Sequence, residues 1–162
     1  ADVPVRVERS LHEAAVAIGE AHALRGLASA DFLLADDGHF HLLEVNPRPG
    51  AAVEAAELYL GIPLFGLHVA ATRGRLAVAL PSPRPGAAAT EIVWADSDLA
   101  IPAGFSWPDW AGDRTPGGTA LRSDDPIATV RAEAADAPTA RSLVAERRAI
   151  LLGLLAKQRH NA

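Results

Sequence analysis

The sequence predicts an α+β fold: a helix, an antiparallel hairpin and two more helices, followed by a small β-rich domain with a closing helix. Three observations predict it. Apolar residues recur at helical spacing through Leu11, Ala14, Ala15, Ile18 and Ala21. Two short apolar-rich runs, 27–35 and 39–45, flank Asp36-Asp37-Gly38, and Asp-Gly favours a tight hairpin turn. Pro81, Pro83 and Pro85 alternate through Pro81-Ser82-Pro83-Arg84-Pro85-Gly86, where neither a helix nor a central strand can continue.

Each element has its local reason. Ser10 and Glu13 have the spacing of a capping box, so the first helix is expected to open there and to close at Gly26. After the hairpin, the alanine-rich stretch from Ala51 to Leu60 stops at Gly61, and Pro63 suits the first turn of a helix running to Arg73 ahead of Gly74. Beyond the prolines, Thr90 to Ala95 and Ile127 to Ala132 read as strands separated by a loop region rich in Pro, Gly, Asp and Trp. Asp136 and Pro138 open a last helix carrying Leu143, Val144, Ile150, Leu151, Leu154 and Leu155, with Lys157 and Arg159 near its carboxyl end. The expected division is residues 1–80, a linker at 81–86, and residues 87–162.

Composition bounds what the chain can do. With 162 residues, 49% hydrophobic and 22% charged, it is globular in character. The absence of cysteine removes disulfides, thiolate nucleophiles and cysteine-based metal sites. A formal charge of -5 opposes nucleic-acid binding, and no apolar run is long enough to span a membrane. There is no methionine, so Ala1 reads as a processed start or as the edge of a longer protein; a processed extracellular domain is a third expectation on the same ground.

The hairpin carries the chemistry. With Asp37 and Gly38 as the two turn residues, counting outward sets Asp31 opposite Glu44 and Ser29 opposite Asn46. All four then share one face, with His39 and His41 on the other. Directly opposed Cβ atoms lie about 4.5–5.5 Å apart, so two ionised carboxylates repel there unless a cation lies between them or one is protonated. Asp31, Glu44 and the amide of Asn46 form an all-oxygen donor set suited to magnesium or manganese. Pro47 and Pro49 hold Asn46 and Arg48 extended, presenting the Arg48 guanidinium to a phosphate. The bland reading of these residues is a solvated strand face with Arg48 as counter-ion, and a longer turn through Asp36 would move Asp31 off Glu44.

These residues resemble a known family. Gly-Leu-Ala-Ser-Ala-Asp-Phe-Leu-Leu from Gly26, Leu-Leu-Glu-Val-Asn-Pro-Arg-Pro-Gly from Leu42 and Gly-Ile-Pro-Leu-Phe-Gly-Leu-His-Val-Ala-Ala from Gly61 are similar to the carboxyl-terminal half of the ATP-grasp superfamily. That superfamily includes biotin carboxylase, and the similarity extends to ATP-dependent carboligases linked to one-carbon metabolism. The resemblance covers about a third of the chain. It implies that Asp31, Glu44 and Asn46 hold magnesium on the phosphates of ATP and that Arg48 contacts phosphate or an acyl-phosphate. It further implies a cytoplasmic ligase joining a small carboxylate to an amine. Glu54 and Glu57 do not match the biotin carboxylase spacing and stay outside the core site.

The departures are as informative. The only lysine is Lys157, and Thr115-Pro116-Gly117-Gly118-Thr119 lacks the lysine of a phosphate loop. The lid, the adenine contacts and the phosphate-binding lysine are therefore expected from an amino-terminal half of the same enzyme. A non-catalytic scaffold derived from an ATP-grasp domain is the competing class. Trp94, Trp107 and Trp110 are expected to fill the small core, the alternative for Trp107 and Trp110 being to stack on a ligand ring. Asp109, Asp113, Asp124 and Asp125 read as turn residues. His39 and His41 read as exposed strand residues, and His68 as packed in its helix.

Overall fold

A computed structural model describes residues 3–75 and 84–159, and the chain folds as two compact units. Residues 3–53 and 62–75 belong to the first, residues 54–61 and 84–159 to the second. Pro81, Ser82 and Pro83 of the expected linker lie outside the described residues, as does the side chain of Arg159.

In the first unit, α1 (Val5–Ala21) begins earlier than the capping-box reading expects. Val7 extends the apolar spacing of Leu11 and Ile18 back by one turn and is buried, and the amides of Val7 and Glu8 donate to the Pro4 carbonyl. Ser10 is consequently interior to the helix, where its hydroxyl donates to the Arg6 carbonyl at 3.2 Å instead of capping. The helix also closes at Ala21, well before Gly26. Gly26 has a different task. At φ +84, a Cβ placed on it would lie 2.5 Å from His68 Nδ1, the atom that accepts the Leu27 amide at 3.0 Å. His68 is thus packed, as expected, on α3 (Leu64–Thr72). The hairpin strands β1 (Ser29–Leu34) and β2 (Phe40–Asn46) form a two-stranded sheet. Among the described residues of this unit, Val7, Leu64 and Ala71 are the buried apolar side chains.

The second unit holds the larger core. Strand β3 (Ala87–Trp94) pairs antiparallel with β7 (Pro126–Ala134), and the short β5 (Ala111–Gly112) pairs with the other side of β7. A two-residue ribbon joins β4 (Leu99–Ala100) to β6 (Ala120–Leu121). The sequence reading finds β3 and β7 but not these three short strands. Central β7 is buried continuously from Ile127 to Val130, including Thr129, whose hydroxyl donates to Asp113 Oδ2 at 3.0 Å. Helix α4 (Ala137–Arg159) packs on β3 and β7 through Ala140, Val144, Leu151 and Leu155. Asp136 Oδ1 accepts the Thr139 amide at 2.8 Å and caps it. Truncating a fully buried side chain such as Leu151 to alanine costs about 2–5 kcal/mol.

Two packing expectations need correction here. Ile150 and Leu154 are 45% and 37% exposed, because the buried line of α4 is narrower than its leucine pattern. Trp107 and Trp110 pack against the core, whereas Trp94, paired beside the register shift at the end of β3, is 47% exposed. The aspartates behave as turn residues: Asp113 and Asp124 adopt positive φ, and Asp125 Oδ2 accepts the Arg122 amide.

Helix α2 (Val53–Leu60) packs with the chain beyond the prolines. Arg84 donates to the Tyr59 and Leu58 carbonyls at 2.8 and 2.6 Å, and Glu54 pairs with Arg131 at 3.6 Å. Burial raises the Glu54 carboxyl above its usual range, Asp113 and Glu57 add to the rise, and Arg131 opposes it.

A carboxyl whose folded pKa is raised stabilises the fold below its unfolded value and loses that contribution as pH climbs through the folded one. Urea midpoints of Glu54→Gln should therefore gain on the parent between pH 4 and pH 7; a difference independent of pH would contradict the assignment. Asp136 behaves oppositely, because the Thr139 backbone amide and hydroxyl hold its carboxyl below the usual range. Its contribution is present above the ordinary carboxylate range and lost as pH falls through the lowered value. Asp136→Ala should lower the thermal midpoint at pH 7, with the gap closing in strong acid.

Candidate functional site

The hairpin turn has one residue more than the sequence count allows. Ala35 donates to the His39 carbonyl and Gly38 to the Ala35 carbonyl, so Asp36, Asp37 and Gly38 all lie in the loop. Gly38 takes φ +87 in the third position, the left-handed conformation that a three-residue hairpin loop requires. Asp37 steadies the turn by accepting the His39 amide at 2.9 Å. Next to this loop the partners are Leu34 with Phe40, Leu33 with His41 and Phe32 with Leu42. Continued without interruption, that register would set Asp31 against Leu43 and turn Glu44 to the opposite face.

It is interrupted. A shift between Asp31 and Phe32 leaves Leu43 as an extra residue on β2, and from there the pairs are Asp31 with Glu44, Ala30 with Val45 and Ser29 with Asn46. The bulge thus restores the pairing that the two-residue turn predicts. It also corrects the expected faces, since His41 opposes Leu33 on the Asp31 side. Phe40 and Leu42 face the other way with Phe32, whose ring meets Phe40 edge-on at 5.5 Å.

Asp31, Glu44 and Arg48 are exposed, and Asn46 is half-buried. Asn46 Nδ2 donates to Glu44 Oε1 at 2.8 Å, so the amide oxygen and the second Glu44 oxygen remain as acceptors beside Asp31. Arg48 Nη1 donates to the Pro49 carbonyl at 3.2 Å, a tether that leaves other guanidinium donors available. Gly50 approaches the same face, where a Cβ would lie 3.1 Å from Ser29 Oγ. The donor set is two carboxylates and one amide, which suits a hard cation that keeps water or phosphate among its ligands. Among the described residues no group of three His, Cys, Asp or Glu side chains converges as a metal set. His39 contacts Asp37 at 3.1 Å and both are exposed. Glu54 and Glu57 belong to α2 in the second unit.

Residues 1–56 match the family model described as D-ala D-ala ligase C-terminus. The fold is similar to that of a complete multifunctional pyruvate carboxylase from Rhizobium etli, with TM-score 0.70 and 20% identity over 91% of this chain and 17% of that one. It is similar also to biotin carboxylase from Campylobacter jejuni, solved as a beta-gamma-ATP complex, with TM-score 0.62 and 17% identity over 85% of this chain and 34% of that one. For the urea carboxylase of Kluyveromyces lactis the values are 0.69 and 18%, over 83% of this chain and 13% of that one. The chain therefore spans about a third or less of the length of these enzymes. Among curated protein sequences none matches it.

The register can be tested with engineered cysteines, because the chain has none of its own. Directly opposed Cα atoms fall within disulfide reach. The pair Leu33→Cys with His41→Cys should oxidise readily, and Leu33→Cys with Leu42→Cys should not. Preferential closure of the second pair, read by thiol titration, would refute the three-residue loop.

Proposed function

From a chain with the carboxyl-terminal fold of the ATP-grasp ligases, we propose the metal- and phosphate-binding half of an enzyme that activates a carboxylate as an acyl-phosphate for attack by an amine. The single observation that carries this reading is the bulge that seats Asp31 opposite Glu44, with Asn46 on the same face and Arg48 two residues beyond it. A strand face needing only solvation has no use for two directly opposed carboxylates, whose repulsion must be offset.

Magnesium or manganese with ATP supplies charge neutralisation at the phosphates when bound. Asp31 and Glu44 would give the anionic oxygens that hold the ion, and Asn46 would contribute its amide oxygen while its nitrogen steadies Glu44. The Arg48 fork, tethered at Pro49, binds a phosphoryl oxygen and holds the transferring group in line. In the complete enzyme the γ-phosphoryl would pass to an oxygen of the substrate carboxylate with release of ADP, and the amine nitrogen would attack the acyl carbon, losing a proton as phosphate departs. Adenine binding, the lid and the phosphate-binding lysine come from an amino-terminal half, so this chain does not turn over alone. The division at residues 81–86, a cytoplasmic location and a place in one-carbon metabolism belong to the same proposal. No single helix among the described residues is long and apolar enough to cross a membrane.

In the complete enzyme, Glu44→Gln should abolish turnover and leave the folding transition unchanged; full activity would overturn the assignment. In this chain, manganese titrated with ATP present should broaden the Asn46 side-chain amide resonance, and Asp31→Ala should remove the effect. An identical response in Asp31→Ala would favour the scaffold reading.

A further inference from the structure

A second surface, wholly within the second unit, has the makings of a ligand site. A cavity of about 400 Å³ opens between Leu58, Trp110, Asp109, Arg131, Glu133 and Arg147. That volume suits a small metabolite. Its four charged side chains, Asp109, Arg131, Glu133 and Arg147, balance in number, but none forms an ion pair with another of the four. Arg131 is matched by Glu54 at 3.6 Å, and Glu133 by Arg84 at 3.5 Å. Arg147 and Asp109 are left over: among the described residues neither has an ionic partner.

Arg147 is also held in place. It donates through Nη1 to the Arg131 carbonyl, and its guanidinium lies 5.7 Å from the centre of the Trp110 ring. Both contacts fix the position of the cation without neutralising it, and the side chain is half-buried. A fixed, partly desolvated guanidinium with no counter-ion favours an incoming carboxylate. Asp109 on the same cavity would repel a simple anion but favours a ligand that also carries an ammonium group. Leu58 and Trp110 supply apolar surface for the remainder.

We propose that this cavity binds an α-amino acid with an apolar side chain, its carboxylate on Arg147 and its ammonium on Asp109. This is independent of the metal and phosphate chemistry of the hairpin, since none of those residues lines the cavity.

L-Phenylalanine is the probe, titrated into the 162-residue chain and followed by calorimetry and by the Trp110 indole N–H resonance. Saturable binding is expected, weakened about tenfold in N-acetyl-phenylalanine and about tenfold in phenylalaninamide, the order of one charge-assisted hydrogen bond. Arg147→Gln should remove the distinction between phenylalanine and its amide, and Asp109→Asn that between phenylalanine and its N-acetyl form. Absence of saturable binding, equal affinity for all three ligands in the parent chain, or unchanged discrimination in the variants would each overturn the proposal. The comparison of ligands on the parent chain stands even if Arg147→Gln fails to fold.

Discussion

Side chains on a strand alternate with a period of two, so the candidate site stands or falls on one residue of register. Two irregularities set it. The loop of Asp36, Asp37 and Gly38 displaces β2 by one residue, and the extra Leu43 displaces it back before Glu44. Either alone would send Glu44 to the face of Phe32 and Phe40. Together they divide the hairpin lengthwise: near the loop Phe32, Phe40 and Leu42 share a face, and beyond the bulge Asp31, Glu44 and Asn46 occupy the opposite one. A single short hairpin therefore presents an aromatic pair at one end and two opposed carboxylates at the other.

The sequence is enough to locate the hairpin, name the acidic pair and find the helix cap at Asp136, because each leaves a local mark. Asp-Gly marks a turn, and an Asp before an apolar periodic run marks a helix start. Loop length and bulge leave no such mark. Asp36-Asp37-Gly38 permits two or three loop residues, and Leu43 resembles any strand residue. The correct opposition of Asp31 and Glu44 thus comes from a turn one residue too short and a bulge not foreseen, whose errors cancel. The start of α1 is misread because Ser10 and Glu13 carry a genuine cap spacing that Val7, buried one turn earlier, overrides. The three two-residue strands are too short to show periodicity at all. Trp94, Ile150 and Leu154 show the remaining limit: apolarity permits burial, and only the partner surface decides it.

The two units differ in how their order is maintained. In the second, β7 lies between β3 and β5 with α4 across the sheet, and Val93, Ile127, Val130 and Leu151 are fully enclosed. In the first, buried apolar side chains are few among the described residues, and the hairpin is a two-stranded sheet, an arrangement of marginal stability by itself. Specific polar and steric fits carry more of the definition there, such as Gly26 admitting the His68 imidazole to the Leu27 amide.

Helix α2 gives the chain an order that a gene would have to respect. Its residues are encoded between two stretches of the first unit, yet its carbonyls and its Glu54 are claimed by Arg84 and Arg131 of the second. Neither unit is a single continuous stretch of coding sequence. Recombination that spliced in everything after the proline-rich segment would deliver a sheet and a closing helix stripped of α2. Exchange between related genes can preserve the second unit only if its crossover falls upstream of α2, which carries α3 and part of the first unit along with it.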